Sequence, residues 1–96
     1  MLTQEVTRVH RSRIIELSFR QDDVLSNEAA KSNRKEALLR AMNLGNNFKQ
    51  AVTLQFRTFD GSLRETEATV WAVTDKNVEL KGGKIIPMAA IFHVEL

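Results

Sequence analysis

The second half of the chain carries a period that few folds can absorb. From Ala51 to Phe59, Val52, Leu54 and Phe56 alternate with Thr53, Gln55 and Arg57. Strand side chains point to opposite faces in turn, so this stretch predicts a half-buried β-strand. Asp60-Gly61 follows, and glycine accepts the positive φ that a tight hairpin turn requires. The return strand is long, from about Leu63 to Thr74. Ala68, Val70 and Ala72 share one face, and Thr69, Trp71 and Val73 the other. Both faces become apolar toward its end, as expected of a strongly bent strand serving two sides of a small barrel.

The remaining punctuation continues the pattern. Asp75-Lys76-Asn77 predicts a turn, and Val78–Lys81 a strand with Val78 and Leu80 inward. Gly82-Gly83 predicts the next turn and Lys84–Ile86 a short strand that Pro87 ends, because proline cannot donate to a ladder. Met88-Ala89-Ala90 suits a single helical turn, and Phe92–Glu95 a last strand anchored by Ile91 and Val94. Five strands between Phe48 and Leu96 closing into a barrel would hide every sheet edge.

Upstream, the residues from 27 to 44 predict a helix. Asn27 is a capping residue, and Glu28 lies in the first turn, where the helix dipole favours a carboxylate. Ala37, Leu38, Ala41, Met42 and Leu44 fall on one arc at 100° per residue. Lys31 and Arg34 intrude on that arc, which predicts a helix docked by its last two turns. Gly45 is the expected left-handed terminator. Residues 1–26 read as an extension, with a helix over 3–11 and a strand over 13–20. The strand rests on the alternation of Ile15, Leu17 and Phe19 with Glu16, Ser18 and Arg20. The chain therefore divides into an extension, 1–26, and a single helix-plus-barrel domain, 27–96.

Composition narrows the class. Ninety-six residues allow one modest core. The absence of cysteine excludes disulfide staples and cysteine-ligated zinc. No apolar run reaches the roughly 18 residues of a membrane helix, and Met1–Glu5 lacks the pattern of a secretion signal. A cytoplasmic protein with no membrane contact is expected. Net charge is +2 and unevenly spread. Residues 1–50 hold nine Lys/Arg against six Asp/Glu, and residues 51–96 hold five against six.

The series from Ala68 to Val94, A-T-V-W-A-V-T-x-x-x-V-x-L-K-G-G-x-x-I-P-x-x-x-I-x-x-V, resembles the second half of Sm-like and SH3-like small barrels. The helix placed before the first strand resembles the Sm-like order in particular. That resemblance implies a mainly β, α+β fold, with an N-terminal helix followed by a five-stranded antiparallel barrel. It also implies RNA binding and ring assembly through strand edges as properties of the class. The loop residues that hold a base in such rings have no clear counterpart here, because Asn77 and Gly82 are explained as turn residues. The whole chain also resembles small bacterial proteins of unknown function.

The inventory for catalysis is thin. His10 and His93 are the only histidines, and His93, one residue before a core anchor, reads as a strand residue rather than a general base. Glu65 and Glu67 share a strand face that a metal site also uses, but a solvated face explains them. Lys81-Gly82-Gly83-Lys84 lacks the spacing of a phosphate loop. No enzymatic activity, cofactor or metal is expected. The expected function is a binding module. Its first form is protein–protein or self-association through the N-terminal segment and strand edges. The alternative is RNA or single-stranded nucleic-acid binding by Arg8, Arg11, Arg13, Lys31, Arg34 and Lys35, with Trp71, Phe59 and Phe92 as candidate stacking platforms.

Overall fold

The structure, a computed structural model, describes residues 5–96. The chain enters through a short strand, β1 (Val6–Arg8), and a 3₁₀ helix, Arg11–Glu16. The only α-helix of the described residues follows, α1 (Glu28–Phe48). Then come β2 (Val52–Arg57), β3 (Leu63–Ala68), β4 (Val70–Val73), β5 (Asn77–Leu80) and β6 (Ile85–Pro87). A second 3₁₀ helix, Met88–Ala90, leads into β7 (Ile91–Glu95). The strands form two sheets, one in the order β1-β3-β2-β7 and one in the order β4-β5-β6.

The expected five-stranded antiparallel barrel behind an N-terminal helix is not what forms. There are seven strands in two sheets, the helix lies in the middle of the chain, and β1 pairs with β3 in parallel. Closure fails where β6 passes into β7, which no ladder joins. The backbone groups at that corner bond elsewhere. Met88 N–H donates to Lys76 O at 2.8 Å, and Ala89 O accepts from Val24 N–H at 2.9 Å. Ile91 O accepts from the Arg34 guanidinium at 2.9 Å. Once these groups have partners, a closing ladder has nothing to gain from them.

The expected bend is present, and it is where the sheets part. Ala68 pairs with Val52 in the first sheet, and Val70 pairs with Leu80 in the second. Thr69, between them, accepts from Lys81 N–H at 2.8 Å. The hairpin turns also follow the glycine signals, with positive φ at Gly61, Gly82 and Gly83.

One core serves both sheets and the helix. The alternation of β2 buries Val52, Leu54 and Phe56, and β5 buries Val78 and Leu80. Val70, Ile86, Met88, Ile91, Leu38 and Ile14 complete its large side chains, each worth about 1.5–3 kcal/mol when fully buried. Phe19 tilts against Phe56 at a ring distance of 5.9 Å. The N-terminal residues expected as a helix and a strand do neither as drawn. Residues 3 and 4 lie outside the described residues, and 6–8 form a strand. The residues read as a strand over 13–20 open in a 3₁₀ helix that buries Ile14 and leaves Ile15 80% exposed.

Helix α1 starts as its sequence predicts, with the Asn27 side chain accepting from Ala30 N–H at 3.1 Å. It does not stop at Gly45. It runs on to Phe48, and Lys49 takes the left-handed conformation at φ 55°. Arg34, Leu38, Ala41 and Gly45 form one buried stripe along it. Gly45 is needed for packing rather than termination. A Cβ there would stand 2.3 Å from Val70 O, so the helix and β4 approach as closely as they do only because it is absent.

Candidate binding surfaces

The six cations expected to meet a phosphate backbone are scattered and mostly engaged. Arg8 Nη2 bonds Glu65 Oε2 at 2.9 Å, and Arg13 pairs with Glu16 at 3.3 Å. Lys31 pairs with Glu28 at 3.5 Å, and Lys35 with Asp75. Arg34 is not a surface residue. Its guanidinium lies under the first turns of α1 and makes a two-pronged bond to Asp23, 2.8 Å and 2.7 Å, besides its bond to Ile91 O. The Arg34 hydrogen bonds, ahead of the bond from Leu25 N–H, hold the Asp23 carboxyl below its ordinary range against the opposing effect of burial. Only Arg11 of the six lacks an ion-pair partner among the described residues. Exposed pairs of this kind add little stability, but each carboxylate offsets the charge a phosphate would seek.

A groove of ≈ 460 Å³ shows the consequence. Lys31, Arg34 and Lys35 line it, but so do Glu28, Glu36 and Asp75. It carries no net sign. The histidines are apart from each other and from such grooves. His10 Nδ1 accepts from Ser12 N–H at 3.1 Å and caps the first 3₁₀ helix, while His93 is exposed on β7 opposite Gln55. Glu65 bridges Arg8 on β1 and Gln55 on β2, and Glu67 is exposed. No group of three or more His, Cys, Asp or Glu among the described residues is placed to hold a metal ion.

A different neighbourhood surrounds Trp71. The ladder between β4 and β5 shifts register between Val70 and Ala72, and the bulged Trp71 stands 46% exposed. Bulges commonly re-aim a side chain in this way. A groove of ≈ 280 Å³ beside it is lined by Gly45, Asn46, Lys49, Thr69, Trp71 and Lys81. Its two lysines have no ion-pair partner among the described residues, and no carboxylate lines it. The Asn46 side-chain amide donates to Trp71 O at 3.4 Å, tying the end of α1 to the bulge. Trp71 is one of the three aromatics that the sequence offers as stacking platforms, but none of the six expected cations lines its groove. The lysines that line its groove come from the helix end and the β5–β6 turn. Phe59 is instead held with Arg20, which donates to Phe59 O at 2.8 Å and lies 5.6 Å from the ring centre.

Two further apolar side chains are exposed on elements that pack together. The first 3₁₀ helix packs against β6, and each element presents one isoleucine to solvent, Ile15 at 80% and Ile85 at 51% exposure.

These features define a small α+β protein of two open sheets and one helix, with binding surfaces on its exterior. No protein-family model, curated protein or solved structure matches the chain. The likeness to Sm-like and SH3-like proteins therefore stays one of sequence pattern. No helix of the described residues is long and apolar enough to cross a membrane.

Proposed function

We propose that this chain is a non-catalytic interaction module that associates with another polypeptide, in the first instance a second copy of itself. The observation that carries the reading is the pair of exposed isoleucines, Ile15 and Ile85, on two elements that pack together. An isoleucine left in water forgoes about 1.5–3 kcal/mol that burial returns, and association is the simplest way to recover it. The 3₁₀ helix Arg11–Glu16 carries Ile15 on this surface while Ile14 anchors it in the core. The open edge of β6, which pairs only with β5, supplies backbone groups beside Ile85. A cytoplasmic setting is part of the reading.

Light scattering across protein concentration tests it. The expected result is a mass that rises from one chain toward two or more as concentration increases. Ile15→Glu combined with Ile85→Glu should keep the chain monomeric without unfolding it, because neither side chain belongs to the buried core. A wild-type chain that stays monomeric to millimolar concentration overturns self-association.

A further inference from the structure

We propose that the groove beside Trp71 is a binding site for a nucleotide unit, with the heterocycle stacked on the indole and its phosphate between Lys49 and Lys81. This site is separate from the Ile15 and Ile85 surface, and it uses none of the six cations that the sequence suggested.

Charge decides the class of ligand. Two unpaired ammonium groups line the groove and no carboxylate does. Lys84 adds to the field, since its Nζ lies 3.4 Å from where a Cβ of Gly82 would sit, on the same turn as Lys81. The carbonyl end of α1 works against an anion, with a partial charge of roughly −0.5. Its exposed carbonyls are partly consumed, because Lys49 N–H bonds Gly45 O at 3.0 Å and Gln50 N–H bonds Leu44 O at 3.2 Å. Two full positive charges outweigh what remains. The larger groove at Lys31 and Lys35 fails this comparison, because its cations face carboxylates.

Shape decides the rest. The indole of Trp71 is the one aromatic surface in the groove, and it is flat. A planar heterocycle matches it, and every nucleobase has such a face, so stacking is tolerant of sequence. An acidic peptide would satisfy the lysines and leave the indole uncovered. Lys49 closes α1 in the left-handed conformation, the only non-glycine residue with positive φ among the described residues, at a helix end where glycine fits with less strain.

The chain contains a single tryptophan, so its fluorescence reports this groove alone. The test is titration of the full chain with AMP, with a twelve-residue oligo(A) and with poly-glutamate. Quenching that saturates with either nucleotide probe, weakens with added salt and is absent with poly-glutamate is the expected result. If AMP alone suffices, the source is a free nucleotide. If only oligo(A) binds, it is a single strand, with a log–log salt slope of about −0.7 for the one phosphate held between the two lysines. Lys49→Gly and Lys81→Gln should each weaken oligo(A) binding about tenfold, and Lys49→Gly should do so while leaving the chain at least as stable. Trp71→Ala, followed by anisotropy of labelled oligo(A), should weaken it tenfold or more, and Trp71→Phe should restore part of that loss. No quenching at millimolar AMP and oligo(A), equal quenching by poly-glutamate, or oligo(A) affinity unchanged in Trp71→Ala would each overturn the proposal.

Discussion

Gly45 of α1 and the Val70 carbonyl of β4 are in direct backbone contact. A Cβ at position 45 would lie 2.3 Å from that oxygen and 3.0 Å from Thr69 Cγ2. Two effects then oppose each other in Gly45→Ala. Helix propensity favours alanine by about 1 kcal/mol. Overpacking costs about 1–3 kcal/mol, and here the obstacle is backbone, which cannot rotate away. The clash should win, with a net loss of about 1 kcal/mol by urea unfolding.

The Arg34–Asp23 pair should be the most sensitive polar contact. Arg34 is 7% exposed, and its guanidinium depends on Asp23 for two of its three hydrogen bonds. Asp23→Ala strands a buried charge and should cost about 3 kcal/mol. Replacing both partners, Arg34→Met with Asp23→Leu, should cost less than the single change. The folded Asp23 carboxyl titrates below its ordinary value because of Arg34. Its contribution is therefore complete above about pH 4, the unfolded value, and is lost as pH falls below it through the lower folded value. Urea midpoints measured from pH 6 downward should fall in that window, and less so in Asp23→Ala.

Much of this was legible in the chain, for reasons that differ by element. The β2 alternation and the turns at Asp60-Gly61 and Gly82-Gly83 are local signals, and local chemistry settles them. Arg34 was legible as an intruder on the apolar arc of the helix, but not as a core residue. Its partner stands eleven residues away in an irregular segment, and no helical period reports that. Gly45 carries the same letter whether it ends a helix or admits a neighbouring strand. Ile14 and Ile15 are equally apolar, so the alternation through Ile15 misled until packing chose Ile14. Barrel closure was illegible because it turned on where Met88 N–H, Ala89 O and Ile91 O find partners. The Trp71 groove was half legible: the ring was evident, but the lysines that line its groove are gathered only by the tertiary fold.

Thr66 is fully buried in β3, and its hydroxyl finds no hydrogen-bond partner among the described residues. A buried hydroxyl without a partner costs about 1–3 kcal/mol, while a same-shape apolar replacement carries no such cost. Thr66→Val should stabilise the chain by about 1 kcal/mol in the same urea assay.

Asp60 organises the β2–β3 turn. Its Oδ1 accepts from Thr58 Oγ1 at 2.6 Å and from Ser62 N–H at 3.0 Å. The Thr58 hydroxyl first, and the Ser62 donors next, bring its carboxyl down to about 2. A depressed folded value places the turn's contribution above the unfolded value near 4 and removes it as pH falls toward about 2. A carbon-detected titration should find the Asp60 midpoint near 2, and Thr58→Val should raise it.

Amide exchange measured on dilute and concentrated samples tests the association surface most directly. Raising the concentration should add protection at residues 11–16 and 84–86 and leave the Trp71 bulge and the β2–β3 turn unchanged. Protection that grows elsewhere, or nowhere, contradicts it.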